Sequence, residues 1–148
     1  MKDKVKRALS LLSSFWLIFT GLIGYPSSTH ALAVANLPEC KTLPNSHWTP
    51  RIAKSYARAY MYMTYEWNSS GFIALNKLWT AESNWRSEAF NKSADRHTGK
   101  HAGGIPQILG LNPKVPAPLQ IERGLAYIEH RYGRPSIAWT HHRKHGWY

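Results

Sequence analysis

FIALNKLWTAESNW, residues 72–85, sets a single carboxylate between two tryptophans. Phe72, Leu75, Leu78 and Trp79 recur at spacings of three and four, which predicts a helix from Phe72 to Ser83 with one apolar stripe. Glu82 falls four residues after Leu78 and seven after Leu75, so it lies on that stripe. Two effects there disfavour a charged carboxylate. Burial strips its hydration, and the C-terminal end of a helix opposes a nearby anion by roughly 0.3–1 kcal/mol. A carboxyl that keeps its proton near neutral pH beside aromatic rings is the acid that glycoside cleavage requires. The same pattern also fits a glutamate at a frayed helix end facing water, and periodicity alone does not separate the two.

Upstream of this stretch, Thr49 can cap a helix and Pro50 fits its first turn. Arg51 to Trp67 lacks Gly and Pro, and Ile52, Tyr56, Tyr60 and Met63 mark its predicted buried face. Asn68-Ser69-Ser70-Gly71 breaks it. Downstream, residues 86–108 read as loop, with Asn91, Ser93, Asp95, Gly99 and a Gly103-Gly104 pair. Another loop, Asn112 to Pro118, holds three prolines. The next predicted helix runs from Pro118 to Tyr132, buries Ile121, Leu125, Ile128 and Tyr132, and stops at Gly133. Pro135 opens a short last helix through Trp139. There is no strand pattern and no internal repeat. The predicted class is all-α: one small domain over residues 49–148 with Gly/Pro-rich loops.

The chain's 148 residues suit one domain with a modest core. It carries 19 Lys and Arg against 8 Asp and Glu, and 13% of it is aromatic. Basic and aromatic character together point to an anionic polymer, either nucleic acid or a bacterial wall. The N-terminus bears on that choice. Lys2, Lys4, Lys6 and Arg7 precede an apolar run and the small-residue stretch STHALAVA. This is the layout of a signal peptide over residues 1–33, ending after Ala33, followed by a linker over 34–48. An uncleaved anchor is the other reading, because the apolar run is near the shortest length that spans a bilayer. A secreted, extracellular or wall-associated protein is expected, with no stable membrane anchor. Anionic wall polymers are then the expected partners, and nucleic acid is not. Cys40 is the sole cysteine, so no disulfide can close within the chain.

Other candidates read more plainly. Trp79 is expected in the core. Asp95 is expected as a solvated loop acid, although it is the nearest second carboxylate. The HHRKH run, His141 to His145, matches no standard ligand spacing and has no Cys, Asp or Glu beside it. It reads as a basic tail touching an anionic polymer, and no metal is expected. Ser83 lacks the turn that exposes a nucleophilic serine.

Four pieces of the chain carry a resemblance: LNKLWTAESNW (75–85), GGIPQILG (103–110), GLAYIEHRYGRPSIAW (124–139) and HGWY (145–148). In order and approximate spacing, residues from about 53 to 148 resemble the lysozyme-like lytic transglycosylase domain, of the soluble-lytic-transglycosylase-like type, secreted by Gram-positive bacteria. The resemblance implies a lysozyme-like domain whose cleft binds the GlcNAc–MurNAc strand of peptidoglycan, acting as a monomer without a cofactor. It implies Glu82 as catalytic acid and base, followed by Ser83 in the family's Glu-Ser motif. It implies that Gly104, Ile105, Pro106 and Gln107 line the cleft opposite, that Tyr127 supports the acid, and that Trp139 lies near the floor. Ser83, Gly104, Ile105, Gln107, Tyr127 and Trp139 are thus the expected substrate-binding residues. The chain departs from the pattern at three places. Ala74 and Ser136 stand where related domains often carry two cysteines, Gly103 stands where an aromatic is common, and the 92–102 connection is long. A muramidase cutting the same bond with water, or a wall-binding protein without turnover, remains an alternative.

Overall fold

The computed structural model describes residues 43–148. The leader expected over 1–33, most of the linker and Cys40 lie outside the described residues. Four α-helices carry the fold: α1 (Pro50–Tyr65), α2 (Ser69–Ser83), α3 (Ala117–Tyr132) and α4 (Pro135–His145). The predominantly helical class read from the periodicity holds. No helix among the described residues is long and apolar enough to cross a membrane.

Local chemistry sets the helix ends. Thr49 Oγ1 accepts from the Ile52 N–H, and Pro50 occupies the first turn of α1. Asn68 Oδ1 accepts from the N–H groups of Ser70 and Gly71, so α2 starts three residues earlier than its apolar pattern predicts. Glu66 adopts a left-handed conformation and ends α1 at Tyr65, two residues short of the predicted Trp67. Gly133 does the same for α3, and Gly146 for α4. The last helix is therefore much longer than predicted: it runs on from Trp139 through His145. The HHRKH run is its final turn rather than a tail.

Two short strands, β1 (Ala102–Gly103) and β2 (Ile108–Leu109), pair antiparallel, with Ala102 facing Leu109 and Gly103 facing Ile108. No strand was expected there. Two-residue strands leave no alternating pattern to read, and this hairpin is pinned from outside. Phe90 forms a bridge to Gly103. Buried Gln120, on α3, accepts from the Ile105 N–H at 2.9 Å, and its Nε2 donates to the carbonyls of Val115, Pro113 and Ser87. One amide thus ties α3 to three loop segments.

The core gathers Leu75, Leu78 and Trp79 from α2, Ile121, Leu125 and Ile128 from α3, and Trp85 and Ile105 from the loops, all fully buried. Trp79 is core, as expected. On α1 the inward stripe is Ala53, Ala57 and Met61, with Tyr56 beside it, while Met63 is exposed. Strict spacing of four selects Met61; Met63, two residues on, points to the far side of the helix. Helix α2 packs most extensively on α4, and α1 on α3. Gly124 lets α3 approach closely, because a Cβ there would stand 2.6 Å from Trp79 and 2.8 Å from Pro106.

The end of the expected linker belongs to the domain. Residues Asn45–His47 form a 3-10 turn, and Trp48 is buried edge-on against Tyr56. Asn45 Oδ1 accepts from the Ala117 N–H at 2.8 Å, and its Nδ2 donates to Val115 O. It caps α3, whose own preceding residue, Pro116, has no side chain to do so.

Candidate active site

At the end of α2 the backbone turns sharply. Asn84 and Trp85 both adopt positive φ, 53° and 62°. This conformation costs an L-residue roughly 1–2 kcal/mol, and it is held because it folds Trp85 back under the helix, 5.0 Å from the Trp79 ring. Glu82 is left in the last turn, facing a pocket of ≈ 770 Å³. That volume lies within the usual range for small-ligand sites, about 300–1,000 Å³. Glu82 forms one wall. Asn91, Asp95 and His97 come from the loop after α2, and Ala102, Gln107, Ile108 and Leu109 from the hairpin. Tyr127 and Arg131 come from α3, and Gly146, Trp147 and Tyr148 from the chain end.

The partner of Glu82 comes from α4. His142 Nε2 lies 3.2 Å from Glu82 Oε1, and each side chain is 17% exposed. The imidazole stacks on Trp139, with ring centroids 5.5 Å apart and planes 17° apart. Burial pushes the Glu82 carboxyl up to about 7. Burial, and then the charge of His141, holds His142 below its ordinary value. Both shifts favour the uncharged forms. Below about 7, with both groups uncharged, the Glu82 O–H is the donor and His142 Nε2 the acceptor.

Tyr148 closes the pocket behind Glu82. Its hydroxyl donates to Pro106 O at 2.6 Å and accepts from Trp79 Nε1 at 3.0 Å. Burial first, then the nearby Glu82, raises the phenol well above its ordinary value, so it stays neutral. With its proton given to Pro106, it ties the chain end to the hairpin and the core. Tyr127 donates to Tyr148 O at 3.2 Å and accepts from Arg131 Nη1 at 2.6 Å.

Asp95 is a solvent-open loop acid, as expected, and it also lines the same pocket. Its Oδ1 accepts from the Thr98 hydroxyl at 2.7 Å, the Thr98 N–H at 2.8 Å and the His97 N–H at 3.2 Å. The Thr98 hydrogen bonds above all hold this carboxyl below its ordinary value. The pocket thus holds one carboxyl pushed up and one pushed down.

Of the residues expected from sequence, Glu82, Gln107 and Tyr127 meet in the pocket. Gln107, at φ 52°, turns its amide inward and donates to Gly104 O and Ala89 O. Ser83, Gly104 and Ile105 stand behind the wall. Ser83 is buried and donates to Ile105 O at 2.6 Å, linking α2 to the hairpin. Gly104 has φ 71°, and a Cβ there would strike the Gln120 amide. Ile105 is fully buried. Trp139 reaches the site only through His142.

His142, Tyr148, Arg131 and Trp147 were not singled out as site residues. One signal was available for His142: nothing between Ser136 and His145 breaks a helix, so the helix opened by Pro135 could have been extended. Trp139 and His142 would then share a face three residues apart. Among the described residues no group of three or more His, Cys, Asp or Glu could hold a metal ion. No family model, no curated protein and no solved structure matches the chain.

Proposed function

We propose that the protein cleaves peptidoglycan as a lytic transglycosylase, with Glu82 as its single acid and base. The observation that carries this reading is a carboxyl pushed to about 7 in the wall of a pocket. A general acid–base works best when its pKa lies near the working pH, and an aromatic-lined, partly dry wall is the setting in which a glutamate keeps its proton for glycoside cleavage. The resemblance of residues 53–148 to the transglycosylase domain supplies the substrate. Glu82 gives its proton to the glycosidic oxygen as the C1–O bond breaks. The resulting carboxylate takes the proton of the MurNAc C6 hydroxyl while that oxygen bonds to C1. A 1,6-anhydro end forms, the carboxyl is restored, and no water is consumed.

The position of Asp95 favours a second reading, hydrolysis. An ionised carboxylate in the same pocket could serve as the base for water, as in inverting enzymes, whose carboxyl pair stands about 6.5–9.5 Å apart. Mass spectrometry of peptidoglycan digests separates the two. The transglycosylase reading expects anhydro-muropeptides from the parent, none from Glu82→Gln and nearly normal amounts from Asp95→Asn. Loss of general acid–base help costs roughly 10²–10⁴-fold. Reducing-end products lost in both variants would make the protein a hydrolase. An inactive parent that still binds the wall would leave a binding protein.

A further inference from the structure

Arg131 is hydrogen-bonded in place yet pairs with no carboxylate among the described residues. It lies four residues after Tyr127 on α3, and its Nη1 donates to the Tyr127 hydroxyl at 2.6 Å. Its guanidinium also stands 5.0 Å from the centre of the Trp147 ring, 5.5 Å from Tyr132 and 5.8 Å from Tyr127. Although exposed, a side chain with this hydrogen bond and three ring neighbours has lost part of its freedom before any ligand arrives, so an ion that binds it meets less of that entropy cost. The contact between His142 and Glu82, both of which favour their uncharged forms, leaves Arg131 out. A guanidinium carries five N–H donors in a planar fork that matches a carboxylate. Arg131 and Trp147 both line the pocket of Glu82, and Trp147 is 49% exposed. A flat, half-exposed ring beside an unpaired, pre-positioned cation is a surface for a sugar bearing a negative group.

The geometry points to a carboxylate-reading subsite at the pocket rim, in which Trp147 stacks on a sugar and Arg131 receives a carboxylate borne by that sugar. The ligand class is an acidic glycan, such as a strand whose lactyl ethers end in free carboxylates. This rests on the glycan-cleaving reading of the pocket and adds a selectivity to it. Trp147 binds through its face and does not read charge. Arg131 reads charge and leaves the proton transfers to Glu82.

The test uses the full exported chain and two substrates. One is glycan strands stripped of peptide, with free lactyl carboxylates. The other is the same strands after the carboxylates are coupled to methylamine. Binding is measured by co-sedimentation or calorimetry, and cleavage by product mass. The parent is expected to bind and cut the acidic strands at least about tenfold better, a difference that a charge-assisted bidentate pair readily supplies. Arg131→Gln should bring the two substrates level, and Arg131→Lys should keep part of the preference. Trp147→Ala should weaken both substrates alike. A purely structural role for Arg131 would also lower both alike and leave the ratio intact. A parent that shows no ratio, or an Arg131→Gln variant that retains it, overturns the subsite. A parent that prefers acidic strands in binding but cuts neither would refute the catalytic reading and leave the subsite standing.

Discussion

Glu82 is a destabilising residue whenever it is ionised. Its carboxyl titrates at an ordinary 4.5 when unfolded and at about 7 when folded. Between those values the native state holds more protons than the unfolded state, so stability falls as pH rises through the interval, and the deficit is complete above 7. The gap sets a ceiling of about 3 kcal/mol, and partial exposure lowers the expected effect to on the order of 1–2 kcal/mol. Glu82→Gln removes the charge and keeps the shape. Thermal melts should therefore place this variant above the parent at pH 8 and level with it at pH 4. An equal difference at both values would mean that Glu82 is not buried against its charge. Spacing along one helix placed Glu82 on the apolar stripe, but the choice between a buried carboxyl and a water-facing helix end was made by packing. The siting of His142 was not legible in the sequence, because its meeting with Glu82 depends on how α4 lies on α2.

At the scale of elements, the pocket depends on a buried amide. Gln120 is the meeting point of α3, the turn at Ser87, the proline-rich loop and the hairpin. Replacing it with leucine keeps the volume but leaves the Ile105 N–H and three carbonyls short of a partner. Each buried group left unsatisfied costs about 1–3 kcal/mol, and some of these will find water. Gln120→Leu is expected to lose on the order of 2–4 kcal/mol in denaturant unfolding. It should also loosen the 104–107 turn, read as faster hydrogen exchange at Ile105 and Gln107. If stability drops and exchange at those amides does not change, the hairpin is held by something other than Gln120. The helix pattern could not reveal this role, since a glutamine on an apolar face carries no mark of the loops it will bond.

Across the whole molecule, packing is the only staple among the described residues, which contain no cysteine. Ala74 on α2 and Ser136 on α4 stand where the resemblance places a pair of cysteines. These two helices form the most extensive packing contact. Oxidised Ala74→Cys with Ser136→Cys is expected to gain stability, up to the 2–4 kcal/mol typical of a disulfide, seen as a higher melting temperature that reductant reverses. A pair that oxidises fully and melts lower would mean that the two positions do not face each other.

By itself the sequence determined the helical class, the cap at Thr49, the stop at Gly133 and the apolar stripe on which Glu82 falls. All of these are local, because a helix's period, its ends and its inward face are written within a few consecutive residues. Only the tertiary structure decided what faces Glu82. His142 meets Glu82 from α4, and Asp95, Tyr127 and Tyr148 line the pocket from three further segments, brought together by the close approach at Gly124, the Gln120 clamp and the extended α4. Periodicity reports the face of one element and is silent on where that face meets another. A site assembled from distant segments is therefore settled by how the elements pack.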